Sequence, residues 1–199
     1  MAGSGRTWRK YVAWMLSSGL LLVAFSAPAS DVPDTLEQRV KACTSCHGKH
    51  GQGGDNGFDP RLAGKPALYL YHQLLNFRDG RRNYPMMQHM VDGLSDAYLH
   101  EIANHFSALH PPQAIAVEPQ GRASGPLLAR GRQLVRYGDP QRNLPACQAC
   151  HGQRLTGVEP GIPALIGLPA DYISAQLGAW RSGIRAAPDP DCMAEVANR

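Results

Sequence analysis

Leu99, Ile102, Ala103 and Phe106 recur three and four positions apart, which places them on one helical face, and Ser95 stands where an N-cap belongs. Similar signals recur along the chain. Pro33-Asp34 leads into a predicted helix over Thr35 to Ala42, with Asp34 and Glu37 spaced as a capping box. Ser124-Gly125-Pro126 leads into another over Leu127 to Tyr137, which Gly138 ends. Pro66 to Asp79 and Pro169 to Ser182 read as helices opened by proline and closed by Gly80 and Gly183. His110-Pro111-Pro112 to Gly125 is rich in Pro, Ala and Gln without an apolar period, the pattern of a linker. No stretch alternates apolar and polar residues over the length of a strand, so the expected fold class is all-α.

The second half repeats the first. Pro60, Leu62, Gly64 and Pro66 match Pro163, Leu165, Gly167 and Pro169; Tyr69 and Gln73 match Tyr172 and Gln176. Phe77, Arg78, Gly80 and Arg82 match Trp180, Arg181, Gly183 and Arg185, every pair lying 103 positions apart. Chance does not hold one offset over so many residues, so the chain carries a domain duplicated in tandem.

Composition bounds the class. Of 199 residues, 43% are hydrophobic and 18% charged, as in an ordinary globular protein. Arg6, Arg9 and Lys10 precede an apolar stretch from Tyr11 to Ser26, followed by Ala27-Pro28-Ala29. That is an export signal with its cleavage site; the apolar run is short for a membrane span and includes Ser17-Ser18-Gly19. Cleavage after Ala29 lowers the net charge from +4 to +1, so the basic balance is largely a targeting feature and gives no reason to expect nucleic acid as a partner. The remaining chain suffices for two small domains, each too small to bury much core unaided.

The chemistry sits in two five-residue words, Cys43-Thr44-Ser45-Cys46-His47 and Cys147-Gln148-Ala149-Cys150-His151, each followed by glycine. Cysteines at this spacing also build zinc sites, thioredoxin-like redox pairs and disulfides. A histidine directly after the second cysteine points instead to covalent c-type haem: two thiols reach the porphyrin vinyls and His47 or His151 meets the iron. Two such words in an exported chain predict two covalently bound haem c groups. A soft, neutral methionine opposite the histidine favours ferrous iron. Met86, Met87 and Met90 are available in the first repeat, and Met193 in the second. Cys192, the fifth cysteine, reads as a small buried hydrophobe, with thiolate ligation as its sharper alternative.

With these words, the Pro-X-Leu-X-Gly stretches, the Tyr-X-X-X-Gln-Leu helices and the Gly-X-Arg turns, residues 31–199 resemble the class I c-type cytochromes, and among them the di-haem cytochrome c4 family. The resemblance implies two tandem class I domains, at 30–110 and 126–199, after a signal peptide at 1–29 and joined by a linker at 111–125. The second domain would lack the closing helix and be C-terminally incomplete. In that family the ligand methionine lies seven residues before a leucine such as Leu94. This selects Met87 and, by the same spacing, Met193, leaving Met86 and Met90 as packing residues. The family pattern also implies that the Pro60 and Pro163 carbonyls fix the two histidine rings, and makes Tyr69, Tyr172, Arg82 and Arg185 candidates for haem propionate contacts. His89 is the credible rival to methionine; His50, His72, His100, His105 and His110 read as surface or satisfied residues.

The expected function is periplasmic electron transfer through two His/Met-ligated haems, without catalysis by the chain itself. The resemblance implies a quinol-oxidising complex or a dehydrogenase as donor and a terminal oxidase as acceptor, with membrane association through a partner. The competing readings are a haem enzyme, such as a thiosulfate dehydrogenase or peroxidase, and the cytochrome subunit of a membrane dehydrogenase.

Overall fold

Thr35, rather than Asp34, opens the first helix: its side-chain oxygen accepts from the Gln38 N–H at 3.3 Å. Arg39 takes Asp34 instead, donating to both carboxylate oxygens at 2.6 and 2.7 Å. The helix expected over 35–42 is two, α1 (Leu36–Arg39) and α2 (Lys41–His47), broken at the buried Val40. These elements come from a computed structural model that describes residues 33–54, 56–112 and 125–199. The expected signal peptide and most of the expected linker fall outside those residues. Contacts divide the chain into Met1–Pro33, of which only Pro33 is described, and Asp34–Arg199, a single unit holding both repeats.

In the first repeat α3 (Ala67–Arg78), α4 (Pro85–Val91) and α5 (Asp96–Ser107) follow. Pro66 sits at the N-cap of α3, and Ser95 caps α5 by accepting from the Tyr98 N–H at 3.2 Å. The apolar spacing in α5 does what it predicts: Leu99, Ile102, Ala103 and Phe106 are buried, against Leu70, Phe77, Val91 and Val40. Leu99 is 0% exposed, the centre of this core. Helix α4 was not legible from the sequence: its seven residues open on a proline with no side-chain cap and are too few to establish a helical period.

The second repeat holds α6 (Gly125–Tyr137), a short 3-10 turn at Pro140–Arg142, α7 (Cys147–His151), α8 (Ala170–Arg181) and α9 (Cys192–Ala197). Gly138 ends α6 at φ +69°, where a Cβ would meet the Leu144 carbonyl oxygen, so only glycine allows the chain to turn back there. Among its described residues Tyr172 is the one buried hydrophobic side chain. Helix α6 buries none, and Leu127 and Tyr137 stand 61% and 73% exposed. The described residues contain no strand, only isolated bridges, and the all-α expectation holds.

One bridge joins the repeats. Arg82 and Arg185 pair antiparallel, with the Asn83 N–H donating to the Ile184 carbonyl at 2.8 Å and the Ala186 N–H to the Arg81 carbonyl at 2.6 Å. Around it Arg82 donates to Tyr172 Oη at 3.0 Å, Gln176 Oε1 at 2.7 Å and Gln73 Oε1 at 3.1 Å. Arg185 donates to Tyr69 Oη at 3.4 Å, Gln73 Oε1 at 2.9 Å and Gln176 Oε1 at 2.7 Å. Each guanidinium also lies over an aromatic ring of its own repeat, Arg82 over Phe77 and Arg185 over Trp180.

Candidate functional site

Helices α2 and α7 do one job twice. Each carries two cysteines and a histidine on little more than one turn, and each ends at a glycine of positive φ, Gly48 at +82° and Gly152 at +83°. The backbone then curls back: the Gly53 N–H donates to the His47 carbonyl at 2.8 Å and the Gly157 N–H to the His151 carbonyl at 3.0 Å. These loops bring up the two prolines. His47 Nδ1 lies 2.9 Å from the Pro60 carbonyl oxygen, and His151 Nδ1 lies 2.8 Å from that of Pro163. A carbonyl only accepts, so each Nδ1 carries the proton and each Nε2 keeps its lone pair. Both rings are 7% exposed. Burial lowers the His47 pKa, against the opposing pull of the Pro60 bond, and holds the ring in the neutral form a metal ligand requires.

None of the five cysteines is in a disulfide. Burial raises the Cys43 and Cys147 thiols above their ordinary value. No cluster of three or more His, Cys, Asp or Glu among the described residues could hold a bare metal ion.

For the opposite side of the iron, Met87 on α4 is half-buried and packs against the first-repeat core, whereas Met86 stands 61% exposed. Of the core or haem-edge packing expected for Met86, the core half is corrected: it follows the N1 proline of a short helix and stays outside the core. His89 is exposed, and Met90 partly buried. Met193 is partly buried on α9, whose N-cap Asp191 accepts from the Ala194 N–H at 3.0 Å. Cys192 is exposed, not the buried hydrophobe expected. It is the first residue of α9, in which Met193 and Val196 are both partly buried.

Tyr69, Tyr172, Arg82 and Arg185 meet at the junction between repeats rather than standing separately in two sites. Burial lowers the Arg185 pKa, with the neighbouring Arg82 adding to the effect. Burial raises the Tyr69 phenol, but Arg185, Arg82 and Lys65 outweigh it and the net shift is downward. The cluster is thus electropositive and suited to carboxylates. Beside it, Trp180 Nε1 is buried with no hydrogen-bond partner. An indole N–H left unpaired is costly, and a propionate oxygen is the acceptor it lacks. A second repeat with one buried apolar residue likewise fits a large apolar group at its centre. The chain's residues fit haem c at both places. The sequence reading used Gln73 and Gln176 only as repeat markers, yet their retention at both positions was a signal that they bind the junction arginines.

The comparisons agree with this geometry. The cytochrome c family model matches residues 38–109. A thiosulfate dehydrogenase electron acceptor of Thiomonas intermedia (strain K12) is 39% identical over 175 residues, 88% of this chain and 78% of that protein. Reduced cytochrome c4 of Pseudomonas stutzeri superposes with a TM-score of 0.69 at 31% identity, covering 82% of this chain and 87% of that one. The thiosulfate dehydrogenase TsdBA of Marichromatium purpuratum matches with a TM-score of 0.70 at 35% identity over 79% of this chain, which spans 33% of that longer chain. The protein belongs to the class I c-type cytochromes, in the di-haem cytochrome c4 family.

Proposed function

We propose that this protein is a periplasmic two-haem electron carrier that accepts electrons from a thiosulfate-oxidising dehydrogenase and hands them to a further redox protein. The observation that carries the reading is the duplication of one geometry, a buried histidine whose Nδ1 is fixed by a proline carbonyl, in both repeats. The relative named as a thiosulfate dehydrogenase electron acceptor, similar along most of both chains, supports the donor. The likeness to part of a thiosulfate dehydrogenase chain also supports a site beside such an enzyme.

Bound haem c supplies one-electron iron chemistry. The protein's share is to hold and tune. Cys43 and Cys46, and Cys147 and Cys150, would tether the two groups, and His47 with Met87, and His151 with Met193, would bind the irons. Pro60 and Pro163 orient the rings and raise their basicity. The arginines of the junction offer charge to the propionates and bind the two repeats to each other. Thiosulfate chemistry belongs to the partner, so the chain has no catalytic residue.

The test mixes the oxidised holoprotein with a purified thiosulfate dehydrogenase and thiosulfate and follows the reduced-haem absorption band. Rapid reduction that depends on the dehydrogenase supports the reading. No acceleration over a haem protein of unrelated fold would overturn the donor assignment, and turnover of thiosulfate by this protein alone would make it the enzyme.

A further inference from the structure

The junction is nearly two-fold in its hydrogen bonds but not in its charge. Lys65 has Leu168 as its counterpart in the second repeat, and Arg61 has Ala164. Both cations come from the first repeat and face a neutral wall in the second. They line a cleft of about 230 Å³ together with His110, Thr156, Ala164, Ile166 and Leu168.

Lys65 is only 7% exposed, and its Nζ donates to the Ala164 carbonyl at 3.2 Å. That uses one of three ammonium hydrogens. Arg61 is held by three backbone carbonyls, Ala63 at 3.0 Å, Pro112 at 2.9 Å and Pro111 at 2.6 Å, which fix the guanidinium without neutralising it. Neither cation has a carboxylate partner among the described residues, and no Asp or Glu lines the cleft. Burial lowers the pKa of both; at Lys65 Tyr69 opposes that effect and Arg61 adds to it. A buried ammonium gains most from an anion that its remaining hydrogens can reach.

We propose that this cleft is a binding site for a small divalent oxyanion of the sulfate or thiosulfate kind, held by Lys65 and Arg61 from one repeat and by the Thr156 hydroxyl from the other. The volume admits a tetrahedral anion with part of its water, and the preset Arg61 loses little freedom on binding. The proposed ligands are neither the cysteines nor the histidines of the two words, so the binding test stands apart from the donor assigned above. An anion here spans both repeats and stabilises their pairing as its concentration rises.

The test titrates sulfate, and separately thiosulfate, into the oxidised holoprotein by calorimetry, with sodium chloride holding ionic strength constant. The wild type should take up one anion per chain. Lys65→Met should weaken binding at least tenfold and Thr156→Val several-fold, while the exposed-site control Lys41→Met leaves it unchanged. Unfolding temperature should rise with sulfate in the wild type and not in Lys65→Met. Absence of saturable binding beyond chloride, or equal affinity in Lys65→Met and Lys41→Met, would overturn the proposal. Should Lys65→Met fail to fold, crystals of the wild type grown with selenate decide: an anomalous peak in the cleft supports the site, and its absence there overturns it.

Discussion

Arg82 and Arg185 occupy the same place in two copies of one repeat, and they are bonded to each other's repeats in the same way. Exchanging the repeats turns the Asn83 to Ile184 bond into the Ala186 to Arg81 bond, and exchanges Tyr172 and Gln176 with Tyr69 and Gln73. A local two-fold axis therefore passes between the two arginines, inside a single chain.

Because the arginines share Gln73 and Gln176, their contributions should not add. Arg82→Leu and Arg185→Leu should each cost about 2 kcal/mol by losing charged hydrogen bonds. The double variant should cost clearly less than the sum, since each single variant already disturbs the shared glutamines and removing both cations relieves their repulsion. Denaturant unfolding of the four holoproteins measures the cycle; strict additivity would contradict the shared network.

Met87→Ala should remove the methionine-to-iron charge-transfer band from one of two haems and lower that haem's potential. Met86→Ala, at an exposed position, should leave both bands in place. Redox titration with near-infrared absorption reads both effects, and loss of the band in the Met86 variant alone would reverse the ligand choice.

Leu99→Ala should destabilise the first repeat by about 3 kcal/mol, as expected for deleting a fully buried leucine. Leu127→Ala on α6 should change stability by no more than about 0.5 kcal/mol, since that side chain is largely in solvent. Thermal unfolding followed at the haem bands compares the two; a larger loss from Leu127 would show that the α6 face is covered in solution.

Lys65 gives a pH signature in buffer free of oxyanions. Burial lowers its pKa in the folded state below the ordinary lysine value of 10.5, so the unfolded chain binds the proton first as pH falls. Wild-type stability should thus rise with pH through the window between the lowered folded value and 10.5. Lys65→Met should be the more stable protein at neutral pH, with its advantage shrinking as pH climbs through that window. An advantage that stays constant over this range would mean that Lys65 does not titrate as described.

The sequence made the duplication legible because it kept residue identity at one offset, and made the attachment words legible because haem chemistry leaves no freedom in their spacing. The prolines facing the histidines were accessible through the family pattern, and the structure puts their carbonyls within 3 Å of both rings. Other features were settled by partners far along the chain. Asp34 has the right spacing for a cap, but an arginine five residues on holds it more strongly with two charged bonds. Arg82 and Arg185 read as propionate contacts, and nothing in a linear pattern shows that each also bonds to the other's repeat. Cys192 read as buried from its residue type alone, which does not show that it stands exposed at the first position of a short helix.

The local two-fold also sets a limit on growth. Head-to-tail repeats offer a fresh surface at each end and can extend into arrays. Here each repeat presents the same patch to the other, and the pairing consumes both copies of it. A third repeat added to this gene would find the Arg-Tyr-Gln surface already occupied and would have to join the pair through a different contact.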